Sequence, residues 1–449
     1  MKIALVRPRC GYDEAELQEP LGAEAICGYL RQQGLECRVF DRRIGASAAD
    51  LAAYGPDWVG FSLMTEDDVP DALRLLQLLK KEGRRFFAGG LFVTACPERS
   101  RALFPRDTVL IPGEGEAPVF ALVTGENPET AGKLRPDDWA FASRDELGTY
   151  LQRGGVINLR TARGCRGCCA FCTTPGSGVH YEGRSITLVA EEMAALARSG
   201  YEPVFNFTDD EFGDWERIRL LEEELKIRGV RAAFSMELRA QALIRTPASD
   251  WPGLYAGGLC RVFTGLESFD RETRSRWGKA VDVPALLKTL AAMKQAGIVT
   301  ETGYILWHGQ TTPESAFREL AQLREHGLLS PKAALSRMIL YPGSRLHREA
   351  GLRSEAPAPL RPDAAALYDR WVWLLEPLFP LWKRAALAMP GVACRAQLAG
   401  DRSRLDALQG VLSHVSDLTW LSLTEGERID PVLCRETGGD LDAICSPDS

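Results

Sequence analysis

Residues 160–176 read RTARGCRGCCAFCTTPG and pack Cys165, Cys168, Cys169 and Cys172 into one short stretch. They follow the apolar run GVINLRT (155–161), which has the length and composition of a buried strand. In parallel α/β folds, loops at the carboxyl ends of strands are where chemistry is placed. Four thiols this close read as metal ligands. Zinc takes tetrahedral donors, usually as two separated pairs, and the chain offers no second pair. An iron–sulfur cube takes one thiolate per iron, so three cysteines hold three irons and leave the fourth open. Two triples are available: Cys165/Cys169/Cys172 and Cys165/Cys168/Cys172.

Working outward from the loop, a strand–helix alternation continues. The runs PVFNFT, RAAFSME, LCRVFTGL, TETGYILW and ALSRMIL predict five further strands. Helical patterns separate them, among them LVAEEMAALARSG, DWERIRLLEEELKIRG and VPALLKTLAAMKQAG. Six units over residues 151–352 predict a partial (β/α)6 barrel of the TIM type, short of the eight units of a closed one.

Upstream, residues 1–125 predict a doubly wound, Rossmann-like α/β domain. Its strands are MKIALV, LECRVFD, PDWVGFSL, RRFFAGG and DTVLIPG, with helices at GAEAICGYLRQQG, DVPDALRLLQLLKKEG and GEAPVFALV. Ligands of such folds sit at the carboxyl ends of the strands. Here those ends are SLMT (62–65), AGG (88–90) and PGEGE (112–116). Residues 126–150 lose periodicity and read as a linker. Residues 353–449 begin Pro-rich and become helical and aromatic, which predicts a C-terminal helical cap on the barrel.

The 449 residues carry a formal charge of −7, with 45% hydrophobic and 26% charged residues. That balance is globular, and it lacks the basic face of a nucleic-acid binder. No apolar run reaches bilayer length, and MKIALVRPRC reads as a first strand rather than a leader, so a cytoplasmic protein without membrane partners is expected. The other eight of 12 cysteines (Cys10, Cys27, Cys37, Cys96, Cys260, Cys394, Cys434, Cys445) follow no spacing and read as buried small residues.

The triple Cys165/Cys169/Cys172, spaced C-x3-C-x2-C with Phe171 before its last cysteine, resembles the signature of the radical S-adenosylmethionine (SAM) superfamily. Cys168 departs from it, standing where that family usually has another residue. The resemblance extends over about residues 1–350. EPLGAEAICGYLRQQGLECRVFD, PDWVGFSLMT, FFAGGLFVTACPE and IPGEGEAPVFAL are similar to the cobalamin (B12)-binding-type domain that some of its members carry at the N-terminus. FNFTDDEF, FSMELRA, FTGLESFD and LYPGSRL resemble strand exits of its barrel.

The resemblance implies a [4Fe–4S] cluster on Cys165, Cys169 and Cys172, with SAM on the open iron and reductive cleavage to a 5′-deoxyadenosyl radical. It implies that Asp209 and Asp210 meet the methionyl ammonium and Arg239 the methionyl carboxylate. Glu237, Glu267 and Ser268 would receive the ribose hydroxyls, and the main chain at Ile305 and Leu306 the adenine. The candidate catalytic residues are Asp210, Glu211, Glu237 and His308, a carboxylate or histidine serving as proton handler. YILWHGQTTPES departs from the family's Gly-Leu-Pro-Gly-Glu-Thr run, placing Trp307 and His308 where small residues are usual. In the first domain Ser62, Gly89, Gly90, Gly113 and Gly115 would line the cobalamin. The five histidines (His180, His308, His326, His347, His414) all lie beyond residue 150, so any cobalamin there is His-off. Its lower face would be open, or shielded by Leu63, Met64 or the loop near Tyr12.

The expected substrate is a small polar natural-product or antibiotic precursor, and the expected partners a flavodoxin- or ferredoxin-type one-electron reductant and a reductase acting on the product. The first expectation is cobalamin-dependent methylation at carbon or phosphorus. The second is cobalamin-independent radical dehydration of a 1,2-diol in an aminosugar or aminocyclitol. An iron–sulfur sensor is disfavoured by the SAM-site motifs. Methylthiotransferases are set aside because they carry a second cysteine triple and a terminal β domain, whereas this tail reads as helical.

Overall fold

The computed structural model describes residues 1–9, 18–80, 83–174, 180–352 and 355–445. Cys10, Tyr12 and Gly176 lie outside them. The chain forms two compact units, Met1–Leu151 and Gln152–Ser449.

The first unit is a parallel five-stranded sheet in the order β2-β1-β3-β4-β5. Its strands are β1 (Lys2–Arg7), β2 (Glu36–Asp41), β3 (Trp58–Ser62), β4 (Arg85–Gly89) and β5 (Val109–Ile111). Its helices are α1 (Leu21–Gln32), α2 (Ala48–Tyr54), α3 (Val69–Lys80), α4 (Leu91–Ala95), α5 (Pro97–Leu103), α6 (Glu116–Thr124) and α7 (Leu147–Gln152). The Rossmann-like expectation holds, and the order reverses at β1/β3, the switch point such folds use for ligands. In α1 the buried Ala23, Cys27 and Leu30 recur at helical spacing and pack beside Ile3, Leu5 and Val39. The sequence pattern did not announce α2, α4 and α5, which are short. α2 is specified by its ends, a Ser47/Asp50 capping box and Gly55 at φ +65.

Residues 126–150 fold back onto this unit. Arg144 donates to the buried Glu19 carboxylate at 2.7 and 2.8 Å, and Arg31 pairs with Asp145 through two bonds of 2.6 and 2.8 Å. Gly28 is required where the segment crosses α1, because a Cβ there would lie 2.0 Å from the Phe141 carbonyl oxygen. The stretch lacks periodicity because polar contacts, not an apolar stripe, hold it.

The second unit begins with β6 (Ile157–Leu159) and the hairpin β7 (Ala162–Arg163) and β8 (Glu182–Gly183). There follow α8 (Ile186–Arg198), β9 (Val204–Phe207), α9 (Trp215–Ile227), β10 (Ala233–Glu237), α10 (Ala240–Arg245), α11 (Trp251–Ala256) and β11 (Leu259–Glu267). Next come α12 (Arg271–Arg276), α13 (Val283–Gln295), β12 (Val299–Tyr304), α14 (Pro313–Glu325), α15 (Pro331–Leu335), β13 (Ile339–Leu340), α16 (Arg345–Glu349) and β14 (Ala356–Pro357). Four helices close the chain: α17 (Pro362–Leu375), α18 (Leu378–Ala399), α19 (Ser403–Glu425) and α20 (Pro431–Cys445).

Strands β6, β9, β10, β11 and β12 form one parallel sheet in that order, the expected partial barrel. The sixth expected strand joins through a single parallel bridge between Trp307 and Arg337, and β13 then turns to pair antiparallel with β14. Stacked Phe207, Phe212 and Phe234 rings, 5.1 and 5.6 Å apart, fix the exit of β9. Inward positions of the strands are polar. Asn206 donates to Asn158 at 3.0 Å, Ser235 to Asn206 at 2.7 Å, and Arg261 pairs with Glu301 at 2.7 and 2.8 Å.

The helical cap closes the amino-terminal mouth of this barrel. On α18, Cys394 Sγ lies 3.0 Å from Cys260 Sγ at the start of β11. Arg395 donates to the Gly154 and Gly155 carbonyls ahead of β6, and Gln397 to that of Tyr255 ahead of β11. The cysteine loop is at the opposite, carboxyl end.

Candidate functional site

The loop after β6 is fastened before it reaches its cysteines. Asp209, buried past the end of β9, accepts the N–H groups of Thr161 and Ala162 at 2.7 and 2.8 Å and the Thr161 hydroxyl. Burial still pushes its pKa up to about 6. Arg217 donates to the Thr161 carbonyl at 3.0 Å. Glu211, also buried, takes the Arg166 N–H at 2.8 Å, and the Arg166 guanidinium lies 4.1 Å over the Tyr181 ring. On the far side the Ala170 N–H donates to the Trp277 carbonyl (2.8 Å), and the Ala170 carbonyl accepts from Leu346 (3.0 Å).

This fastening sorts the thiols. Around Gly167, a Cβ would lie 3.3 Å from Cys165 Sγ, 3.9 Å from Cys169 Sγ and 3.7 Å from Arg239 Nε. Cys169 and Cys172 are close enough for their charges to interact. Cys168 is exposed, its sulfur 3.9 Å from the Gly278 carbonyl. Among the described residues no three His, Cys, Asp or Glu side chains converge as one metal ion would need. A cube spreads its ligands over separate irons, so Cys165, Cys169 and Cys172 fit it in their chemistry, and two of them, Cys165 and Cys169, lie together near Gly167. Burial pushes the Cys165 thiol up to about 11 and the Cys169 thiol upward as well, and iron would displace those protons.

Above the loop, Asp210 and Glu237 present their carboxylates at the barrel mouth. Both are surface-accessible yet partly desolvated, and the Thr174 side chain bonds Asp210. Glu237 is pushed up to about 7 by that burial and by the Asp210 charge, and burial also raises Asp210. Arg239 caps α10 beside the thiols.

Other expected contacts are spent within the chain. Asp209 and Glu211 hold the loop, so they are supports rather than cofactor or catalytic contacts. Ser268 is buried and hydrogen-bonds Glu319 at 3.2 Å, so it does not face a ribose. The N–H of Ile305 goes to the Glu267 carbonyl and that of Leu306 to Ser336, which leaves neither donor for adenine. Glu267 pairs with Lys279 at 3.0 Å. Sequence reasoning passed over Lys279, Arg261, Glu301 and the Asn158–Asn206–Ser235 row. The row was legible as polar residues at corresponding positions of otherwise apolar strands.

His308 packs edge-on against Trp277 at 5.1 Å, and its Nδ1 accepts the Gln310 N–H at 3.4 Å. Burial holds it down at about 4 from 6.5, so the folded protein keeps it neutral. An unfolded chain protonates it near 6.5. Its stabilisation is therefore present above that pH and lost as pH falls toward 4. Thermal unfolding across pH 4–7 should show this loss, and His308→Gln should flatten it; an unchanged slope would remove His308 as its source.

In the first unit Gly90, at φ +100, is needed because a Cβ would lie 2.4 Å from the Leu63 carbonyl oxygen. A Cβ on Gly89 would meet the Ile111 carbonyl oxygen at 3.0 Å. These glycines serve strand-end packing. Leu63 is fully buried in the core and shields no ligand, whereas Met64 is exposed. Gly113, at φ +81, would face open space, and its N–H is held by Thr94 at 2.9 Å. The Ser62–Asp68 turn is fixed by Asp68, which accepts from Met64 and Thr65 and pairs with Arg7 at 2.6 Å. A cavity of about 340 Å³ adjoins Gly113, lined also by Pro112, Glu114, Pro118 and Lys133. This unit has no imidazole to offer cobalt, so its residues fit a cobalamin only without a histidine ligand.

Residues 15–123 match the B12 binding domain, and residues 159–323 the radical SAM superfamily. Among solved structures, the cobalamin-dependent S-adenosylmethionine radical enzyme OxsB with aqua-cobalamin bound is similar over 99% of this chain and 79% of its own, at TM-score 0.72 and 16% identity. The radical S-adenosylmethionine methyltransferase TsrM from Kitasatospora setae, with cobalamin and [4Fe-4S] cluster bound, covers 78% of this chain and 74% of its own, at TM-score 0.62 and 17% identity. At such identities the likeness is one of fold. The ribosomal protein uS12 methylthiotransferase RimO of Endomicrobium trichonymphae is 27% identical over 169 residues, 35% of this chain and 36% of that protein. The matched stretch thus spans about a third of that relative's length.

Proposed function

We propose that this chain, a member of the radical SAM superfamily with a B12 binding domain ahead of its barrel, methylates an unactivated carbon or phosphorus of a small polar natural-product precursor. The observation that carries the reading is the closeness of Cys165, Cys169 and Arg239 around Gly167, beneath two open carboxylates, in a chain that also has a B12 binding domain. When bound, the cluster would supply one electron and an open iron for cleaving SAM, and cobalamin a methyl carrier. The chain's own residues bind and orient. Asp210 would take the methionyl ammonium and Arg239 the methionyl carboxylate, as charge-assisted pairs. Glu237, near neutrality, would hold or release a proton at the substrate.

That last property also favours a second reading, radical dehydration of a 1,2-diol, which needs a proton handler and no cobalt. The methylthiotransferase likeness supports a methyl-handling chemistry more broadly, over the third of that relative's length that matches.

The test is to produce the protein anaerobically with hydroxocobalamin and count iron and cobalt per chain after desalting. Methylation expects about four irons in one cube and stoichiometric cobalt, and S-adenosylhomocysteine released alongside 5′-deoxyadenosine during turnover with candidate aminosugar and aminocyclitol precursors. Iron without cobalt, and 5′-deoxyadenosine without S-adenosylhomocysteine, would transfer the assignment to dehydration.

A further inference from the structure

The turn after α12 addresses the cysteine loop with three successive residues. Trp277 takes the Ala170 N–H on its carbonyl and meets the Phe171 ring edge-on at 5.8 Å. Gly278, at φ +66, backs onto Cys168, where a Cβ would lie 3.1 Å from the Cys168 carbonyl oxygen. Lys279 then turns inward. Its Nζ lies 3.0 Å from Glu267 Oε1, the two side chains only 13% and 11% exposed. Its charge also interacts with Cys169.

Two features show that the fold makes room for this cation. A Cβ on Gly265 would lie 2.1 Å from Glu267 Oε1 and 2.5 Å from Lys279 Nζ, so the pair fills the volume a side chain at 265 would claim. Glu267 itself holds φ +71, a left-handed conformation unfavourable for a residue with a Cβ. Burying an ammonium is unfavourable even when it is paired. Satisfying Glu267 alone does not explain a lysine delivered from the same turn that clasps Ala170 and Phe171.

We propose that Lys279 is a positioning residue for the cluster, a fixed ammonium paired with Glu267 and delivered by the turn that clasps Cys168 and Ala170, the two neighbours of Cys169, which makes the cluster easier to reduce. This rests on the reading of Cys169 as an iron ligand. A cube with thiolate ligands gains negative charge when it takes an electron, and a fixed cation in a low-dielectric setting stabilises the reduced form more than the oxidised one. Glu267 tempers the same field with the opposite sign. Removing the cation and removing the carboxylate must therefore shift the couple in opposite directions.

The experiment compares Lys279→Met, Lys279→Arg and Glu267→Gln, each full-length and anaerobically reconstituted, by iron content and by the midpoint potential of the one-electron couple. The titration uses dithionite and mediators without SAM and is followed by electron paramagnetic resonance. With wild-type iron, Lys279→Met should lower the reduced-to-oxidised ratio at fixed potential about tenfold, equivalent to about 59 mV for one electron. Lys279→Arg should restore it, and Glu267→Gln should shift it the other way. Full iron with an unchanged potential in Lys279→Met overturns the proposal. Should Lys279→Met lose iron, Glu267→Gln decides: a raised potential supports the proposal, and an unchanged or lowered one overturns it. Full iron in Cys169→Ala would instead overturn the ligand reading, a separately visible failure.

Discussion

Cys169→Ala is expected to abolish the cluster and SAM cleavage, whereas Cys168→Ala should retain both. The two positions are adjacent, and sequence spacing alone admits a triple through either. The folded loop separates them. The Asp209 anchor at Thr161 and Ala162 and the Glu211 anchor at Arg166 set the rotation of the chain entering the turn. The Ala170–Trp277 bond sets it on leaving. Between these points Cys165 and Cys169 lie close to Gly167 and Arg239, and Cys168 is exposed with its sulfur over the Gly278 carbonyl. Loss of a direct ligand should exceed the roughly 10–100-fold penalty seen when a supporting group around a metal is removed. Iron per chain, the cluster absorbance and 5′-deoxyadenosine yield with dithionite check it. Retained iron in Cys169→Ala with loss in Cys168→Ala would assign the cluster to the other triple.

The fold was legible to unequal depths. Both parallel sheets followed from apolar runs alternating with amphipathic stretches, because a strand buried on both faces leaves a plain signature. The short α4 and α5 left none, being too brief for a helical period to register. The sixth barrel strand was overread, since ALSRMIL has strand composition but makes one parallel bridge before β13 turns away. At the site, the cysteines announced themselves by spacing, while the division of labour among the acids did not. TDDE (208–211) reads as one acidic run, yet its members face alternate directions. Asp209 and Glu211 are buried against the loop entrance, whereas Asp210 is exposed and bonded by Thr174 at the loop's far end. Lys279 was hidden because its partners, Glu267 and Cys169, are distant in sequence.

That alternation makes the second large prediction. Asp209→Ala should cost roughly 3–5 kcal/mol of stability and most of the bound iron, while Asp210→Ala should fold normally, hold iron and lose SAM affinity. Removing Asp209 strands the Thr161 and Ala162 N–H groups and the Thr161 hydroxyl in a buried site, and an unsatisfied buried polar group costs about 1–3 kcal/mol. The loop entrance then loses its register, and the thiols lose their arrangement. Asp210 is exposed and, among the described residues, takes only the Thr174 side chain beyond the last cysteine. Its carboxylate is accessible at the mouth, and a charge-assisted bond to an ammonium is worth about 1.5–3 kcal/mol, or roughly 10–100-fold in affinity. Anaerobic thermal unfolding, iron analysis and SAM binding by equilibrium dialysis separate the two. A stable, iron-replete Asp209→Ala that binds SAM weakly would return Asp209 to the cofactor, and the loop would then have to be held by Arg217, Glu211, Trp277 and Leu346. Two buried acceptors in series are what the geometry argues against that outcome. Glu211 fixes the loop at Arg166, after the hairpin has begun, and cannot set the direction in which the chain leaves β6.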